Sequence, residues 1–265
     1  MISGLIVYSK DDTNKNAWFI SKCQEECQKE HISLIYKEEN EVLEYINNHH
    51  VDFIINRSRN SQLVKISEKR GIRCFNRSLV SQIANDKYAT YLFLKKQQFP
   101  VLKTSLDIKD FNQYPLVMKS LNGHGGNEVY LINSESDIDK ITSKTSKKFL
   151  YQEYLPNEGD LRVYVLNQQV IGAVKRSNQK DFRSNYSLGG EVVFINPKQE
   201  IINAALKISR LLNADYIGID FLITENAFFV SEIEDPVGAR MLYQTSSIDI
   251  IKLFITHIVN EIKNI

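Results

Sequence analysis

No charge of either sign dominates this chain, in which 33 lysines and arginines stand against 32 aspartates and glutamates. A formal net charge of +1 removes the bulk attraction that nucleic acid or an anionic membrane would exploit, so neither partner is expected. Cysteine is scarce. Cys23, Cys27 and Cys74 are odd in number, which argues against a disulfide framework, and their spacing matches no zinc pattern. Cys23 and Cys27 lie one helical turn apart and read as small apolar packing residues, and reduced thiols place the expected compartment in the cytoplasm. No apolar run approaches membrane-spanning length, and the opening MISGLIVYSKDD meets a charge at Lys10, so it does not read as a signal peptide. Low-complexity tracts and long repeats are missing as well. The five histidines, His31, His49, His50, His124 and His257, are scattered. No Ser/His/Asp or Cys/His grouping is legible, which leaves covalent nucleophilic catalysis unsupported.

What is present is an ordinary apolar content over 265 residues, enough for a sizeable core in one large domain or two to three small ones. Strands at Leu5 to Tyr8, Ser33 to Tyr36, Val51 to Asn56 and Arg73 to Phe75 alternate with helices at Ala17 to Glu30, Asn40 to Asn47 and Gln62 to Lys69. That alternation implies a small parallel α/β unit ending near Asn76, without the glycine fingerprint of a dinucleotide fold. Asn76 is placed to cap a helix running to about Gln97, which Phe99-Pro100 ends. Strands with hairpin connections follow: Leu116 to Lys119, Glu128 to Ile132, Phe149 to Tyr154, Arg162 to Leu166, Val170 to Lys175 and Val192 to Phe194. Helices are expected at Ser136 to Thr142, Lys198 to Leu212 and Ser247 to Ile262, where isoleucines recur at helical spacing. The fold class is therefore α+β. Residues 1–76 form the α/β unit, and residues 77–150 and 151–265 form two antiparallel-sheet lobes.

The segment Ala214 to Gly238 carries the most chemistry. Ile217 to Ile223 and Phe228 to Ile233 read as a hairpin. A three-residue loop, Glu225 to Ala227, sets Asp220 opposite Glu232. Alternation gives Asp220 one face with Gly218 and Leu222, and gives Glu232 and Glu234 one face with Phe228 and Val230. Like charges facing one another destabilise a sheet unless something positive sits between them, and a hard divalent cation such as Mg²⁺ is one answer. Without a cation these acids would repel, so removing one is expected to be neutral or stabilising. A solvated hairpin face is the alternative.

Three other segments offer ligands. Pro115 to Ile132 is two strands joined by a loop holding Gly123, Gly125 and Gly126, where positive φ lets backbone N–H groups approach an anion, with Lys119 at the strand end. A solvated hairpin tip, His124 included, is the plain alternative. Tyr151 to Arg162 leaves a strand at Gln152-Glu153-Tyr154 and turns at Pro156 to Gly159. Its strand-end backbone can pair with a flat heterocycle, and Asp160 can accept from ribose hydroxyls; an ordinary turn with solvated acids explains it equally. Asp181 to Asn185 offers an arginine fork for phosphate and a neutral asparagine oxygen for a metal, backed by Lys175 and Arg176, or else a surface charge cluster.

In order, these pieces resemble the ATP-grasp superfamily, and most closely its RimK-like branch of glutamate ligases. The resemblance runs from about Asn76 to the C-terminus. It is carried by Asn85-Asp86-Lys87, PLVMK with its glycine loop, QEY followed by DLR, DFRSN with Gly189-Gly190, IGIDFL, SEIEDPVG and the final SSIDI. It implies two antiparallel-sheet lobes clamping ATP behind a small parallel α/β domain. Lys87 and Lys119 would hold phosphates under a lid containing Gly125 and Gly126. Glu153 and Tyr154 would bind adenine and Asp160 ribose. Arg183, Ser184 and Asn185 would contact the triphosphate, and Asp220, Glu232 and Glu234 would carry Mg²⁺, two ions being expected with Mn²⁺ as an alternative. Arg183 and Arg240 are the candidates for stabilising the transferring group.

The implied activity is an ADP-forming carboxylate–amine ligase that makes an amide or peptide bond through an acyl phosphate. Its acceptor would be an amino acid, a peptide or a protein tail, and a homo-oligomer is compatible with it. A nucleotide-binding structural or regulatory protein without efficient ligation is the alternative. One departure motivates it: the family commonly has asparagine two residues after the metal-binding glutamate, where this chain has Glu234 followed by Asp235.

Overall fold

The structure is a computed structural model that describes residues 2–126, 128–157, 159–178 and 191–263. Its first unit follows the expected alternation: β1 (Ser3–Tyr8), α1 (Lys10–Lys29), β2 (Ser33–Glu38), α2 (Val42–Asn48), β3 (Phe53–Asn56), α3 (Ser61–Lys69) and β4 (Arg73–Phe75). The strands form a parallel sheet in the order β2-β1-β3-β4. Parallel strands covered on both faces are apolar throughout, and β1 shows why. Leu5 and Val7 enter one core with Val42, Ile54 and Val64, while Ile6 and Tyr8 enter another with Cys23, Cys27 and Phe75. All three cysteines are buried free thiols, as their apolar reading requires.

The helix expected from Asn76 to Gln97 is two helices, α4 (Ser78–Ala84) and α5 (Lys87–Lys96). Asp86 breaks it, because its carboxylate accepts from the backbone N–H groups of Tyr88 and Ala89 and so caps a new start. Asn76 caps nothing. Its buried amide reaches across the molecule, accepting from the N–H groups of Asp215 (2.6 Å) and Tyr216 (3.0 Å) and donating to Tyr216 O (2.7 Å) and Asp235 Oδ1 (2.9 Å).

The second sheet joins β5 (Thr104–Ser105), β6 (Leu116–Ser120), β7 (Val129–Ile132) and β8 (Phe149–Glu153) in the order β5-β8-β6-β7, with α6 (Glu135–Thr142) packed on it through Ile138. The third comprises β9 (Asp160–Leu166), β10 (Gln169–Ser177), β11 (Glu191–Ile195), β12 (Tyr216–Ile223) and β13 (Phe228–Glu234) in the order β11-β10-β9-β12-β13. Both are antiparallel, so the α+β assignment holds. On the third sheet Val163, Val165, Ile217, Ile219 and Phe221 face a core with α7 (Gln199–Leu212), α4 and α5. The opposite face presents Tyr164, Leu166 and Tyr216 to the same core as Tyr8 and Phe75 of the first unit. The C-terminal helix is α9 (Ile250–Lys263), shorter at its start than expected and preceded by α8 (Arg240–Thr245).

The hairpin β12–β13 corrects the alternation argument. Its loop is four residues, between the paired Ile223 and Phe228, and a bulge that leaves Ser231 unpaired restores Asp220 opposite Glu232. Val230 therefore packs in the core opposite Phe221, while Glu232 emerges on the other face with Asp220. Counting by twos across a bulge assigns Phe228 and Val230 to the wrong side.

Candidate functional site

The core-facing tyrosines of the third sheet give way, towards one end of β9 and β12, to charge. Arg162 is paired with Asp220, Asp160 with Leu222, and Arg176 of β10 with Asp160. Because these residues are cross-strand neighbours on one face, their side chains meet. Arg162 Nε and Nη2 grip the two oxygens of Asp220 at 2.7 Å each, and Nη2 also reaches Glu234 at 2.7 Å. Arg176 holds Asp160 through Nε and Nη2 at 2.5 and 2.8 Å and gives Nη2 to Asp220 at 2.6 Å. Both arginines are buried, and such two-pronged pairs are the strong form of the hydrogen bond.

The remaining acid, Glu232, meets two lysines from other elements. Lys87 at the start of α5 lies 3.4 Å from Oε2 and donates to Gly123 O at 2.7 Å, and Lys119 at the end of β6 lies 3.6 Å from Oε1. Lys87 thus ties the glycine loop, α5 and β13 together across the cleft. Burial opposes charge at Glu232, but Lys87 and Lys119 outweigh it and hold its carboxyl below the usual range. Burial also dominates at Lys119, lowering its pKa although Glu232 pulls the other way. At Asp220 the two arginines overcome burial and drive the pKa far down. Burial and the neighbouring Asp220 charge push Asp160 upward despite Arg176.

One ligand atom from each of Asp220, Glu232 and Glu234 lies within 4.8 Å of the others, a spacing suited to a shared divalent cation. The expectation that these acids repel one another in metal-free protein is corrected: Arg162, Arg176, Lys87 and Lys119 already sit among them.

Lys87, Lys119, Gly125, Gly126, Glu153, Tyr154, Asp160, Asp220, Glu232 and Glu234 all line one cleft between the second and third sheets, together with apolar Leu102, Val117 and Leu222. Gly125 and Gly126 adopt φ of 70° and 77°, the backbone region that their loop was expected to need. Arg240 stands apart: it is exposed at a neighbouring cavity and donates to Lys15 O. Arg183, Ser184, Asn185, Gly189 and Gly190 lie outside the described residues.

Sequence reasoning gave Arg162 no role and Arg176 only a background one. The signal was available for Arg162, since it sits two residues after Asp160 on the same strand and so shares its face. Arg57 and Arg59, which line the neighbouring cavity, carried no such signal.

Two antiparallel sheets closing on a cleft of lysines and carboxylates, with a glycine loop over it and a parallel unit in front, define an ATP-grasp protein. The chain belongs to the RimK-like ATP-grasp family, whose domain description matches residues 84–258. It is 32% identical over 267 residues to the uncharacterized protein MG011 of Mycoplasma genitalium, covering 98% of this chain and 93% of that one. It is 27% identical over 208 residues to a probable alpha-L-glutamate ligase of Histophilus somni, covering 73% of this chain and 70% of the other. Among solved structures it resembles a D-alanine–D-alanine ligase from Bacillus anthracis, with a TM-score of 0.77, 13% identity and coverage of 100% and 99%. It also resembles the ATP-grasp ligase PsnB complexed with minimal precursor, Mg and ADP, with a TM-score of 0.71, 15% identity and coverage of 98% of each chain. At those identities the two structures speak to the fold. Among the described residues no helix is long and apolar enough to cross a membrane.

Proposed function

We propose that this chain is an ATP- and Mg²⁺-dependent carboxylate–amine ligase that forms an amide or peptide bond and releases ADP and phosphate by way of an acyl phosphate. The observation that carries the reading is the convergence of Asp220, Glu232 and Glu234 within 4.8 Å, faced by Lys87 and Lys119 from two other elements. Membership of the family, and likeness to a probable alpha-L-glutamate ligase and to ligases of the same fold, support the same reading.

ATP, when bound, would supply the phosphoryl group that activates a carboxylate, and Mg²⁺ would neutralise charge on its phosphate oxygens. The chain's residues position and neutralise. Lys87 and Lys119 would exchange Glu232 for phosphate oxygens, which frees that carboxylate to hold metal beside Asp220 and Glu234. The strand end at Glu153 and Tyr154, with Leu102, Val117 and Leu222 around it, would take the base. Asp160 spends both carboxylate oxygens on Arg176, so a ribose hydroxyl would share an oxygen already in use.

Arg162 and Arg176 hold Asp220, Glu234 and Asp160 in place through charged hydrogen bonds, and so would fix the acids that meet the metal before ATP arrives. Arg183, Ser184 and Asn185 keep the triphosphate role that the family resemblance gives them. Arg240 lines the neighbouring cavity and would meet the second substrate there. Asp160, Asp220, Glu232 and Glu234 are four acids among the four cations named above.

Incubation with Mg-ATP and pooled amino acids and peptides, followed by nucleotide analysis and product mass spectrometry, tests the reading. ADP, phosphate and an amide product are expected. Persistent AMP and pyrophosphate would refute the mechanism, and nucleotide binding without turnover across a broad acceptor set would favour a regulatory protein.

A further inference from the structure

The nucleotide cleft and the neighbouring cavity share a wall, and four of the described residues line both: His124, Gly125, Arg176 and Glu234. In a ligase, such a wall is where an activated carboxylate on the nucleotide side meets an amine arriving from the other. Forming the amide leaves the attacking nitrogen with a proton to lose, and a side chain placed at the junction can take it.

Arg176 and Glu234 are unsuited to that task. An arginine keeps its proton, and Arg176 is spent on Asp160 and Asp220. Glu234 is held by Arg162 at 2.7 Å and belongs to the carboxylate set spaced for a metal. Groups further into the neighbouring cavity are engaged as well. Asp12 pairs with Arg59 at 2.6 Å, and the Tyr8 hydroxyl accepts from Arg57 at 2.7 Å. His124 differs, because among the described residues its ring makes no hydrogen bond.

The loop that carries His124 is anchored at its base. Lys87 donates to Gly123 O at 2.7 Å, and the Ser120 hydroxyl donates to the Glu128 carboxylate across the loop, whose other oxygen takes Lys147. Gly123 packs against that pair so closely that a Cβ would overlap Ser120 Oγ and Glu128 Oε2. Gly123 is thus required by contact, and Gly125 and Gly126 by their positive φ. In a run that otherwise excludes side chains, a single imidazole stands where the two cavities join.

Charges face that imidazole from several elements. Arg59 after β3 and Lys87 of α5 favour the neutral ring, while Asp12 of α1 and Glu234 of β13 oppose them. Partial burial is the largest influence and acts with the cations, so the pKa falls below its usual 6.5 and the ring is neutral at pH 7.

We propose that His124 is the general base of the amide-forming step, taking the proton of the amine that attacks the acyl phosphate. The proposal rests on the ligase reading for the reaction it assists. The amine enters unprotonated, and its lone pair forms the C–N bond. Its N–H proton passes to an imidazole nitrogen, and the carbonyl C–O bond to phosphate breaks with the electron pair leaving on phosphate. His124 then returns the proton to that phosphate, which departs as hydrogen phosphate and leaves the ring neutral for the next cycle.

The test separates the two half-reactions. The native chain, His124→Ala and His124→Gln are incubated with Mg-ATP and pooled amino acids and dipeptides, with and without hydroxylamine. Hydroxylamine captures an acyl phosphate as a hydroxamate without help from a base, while mass spectrometry follows the amide and ADP is measured in parallel. Both variants should form hydroxamate at the native level and lose amide formation by about 100-fold, the low end of what a positioned base contributes. Free imidazole should restore part of the amide rate in His124→Ala. At saturating amine the native amide rate should fall on acidification below about pH 6.5, as the ring takes up a proton, and His124→Ala should lack that limb.

Equal loss of hydroxamate and amide would mark His124 as a support for the loop or the phosphates, and overturns the proposal. Native amide rates in His124→Ala with hydroxamate intact would remove the base and leave the ligase standing. Hydroxamate without any amide from the native chain overturns it too, since no aminolysis would remain for a base to assist. A native chain that releases no ADP and forms no hydroxamate would take down the ligase reading, and the base with it.

Discussion

Replacing Asp220 by Asn separates two accounts of the acid cluster. If the acids chiefly repelled one another, the substitution would relieve strain in metal-free protein. In the structure Asp220 instead accepts three charge-assisted hydrogen bonds, two from Arg162 at 2.7 Å and one from Arg176 at 2.6 Å, and its side chain is 6% exposed. Removing one partner of a buried pair costs about 3 kcal/mol or more, because the other charges stay buried and less compensated. Glu234 and Asp160 still hold the arginines, which keeps the loss near the lower end. For a chain of this size about 3 kcal/mol corresponds to roughly 6 °C in Tm.

The assay is thermal unfolding without metal or nucleotide, across a pH series. Asp220 has a depressed folded pKa, so the stability it contributes is present above its unfolded value, near about 3.9, and is lost as pH falls through the folded one. The native chain should therefore lose stability on acidification below about pH 4 along a steeper slope than Asp220→Asn. An unchanged or raised Tm in Asp220→Asn at neutral pH would refute the reasoning, since it would mean that the arginines do not compensate the acid.

Glu232→Gln should abolish Mg²⁺-dependent ADP release while lowering Tm by only about 2 °C, because its lysine contacts at 3.4 and 3.6 Å are longer and partly solvated; full activity would remove Glu232 from the site. Glu234→Asn offers a neutral oxygen one methylene nearer the backbone and loses one charge, so initial rates against Mg²⁺ concentration should show substantial activity with altered metal dependence. Asn76→Ala leaves the N–H groups of Asp215 and Tyr216 without their acceptor, and chemical denaturation should show a loss of about 3 kcal/mol with ATP affinity retained.

Local signals carried much of the fold. The runs around β1, β3 and β4 are apolar on both faces, and their alternation with amphipathic helices dictates a parallel sheet. The metal-type acids were legible as carboxylates interrupting β-branched runs on two neighbouring strands, but their direct opposition was not, because it depends on a four-residue loop offset by a bulge at Ser231. Long-range side chains were not legible. Asn76 looks like a helix cap in sequence, yet its partners lie 139 to 159 residues further on. Arg57 likewise follows a short buried strand with no motif around it, and only the tertiary contact with Val237 shows where its charge is kept. The break at Asp86 was within reach of sequence, because an aspartate followed by free N–H groups is a start signal even inside a helical run.

The unpaired Ser231 has a consequence for how the site is aimed. Removed on paper, it leaves every cross-strand partner in place, with Val230 inward, Glu232 outward and Ile233 inward. The extra residue therefore contributes curvature and not pairing. A bulge bends its strand and tightens the local twist, so the last part of β13 can point away from the line set by its first part. That last part carries Glu232 and Glu234, and Glu232 is the acid that meets Lys87 of α5 and Lys119 of β6. The outer half of the hairpin is fixed by the core through Phe221, Phe228 and Val230, while the inner half steers the carboxylates across the cleft.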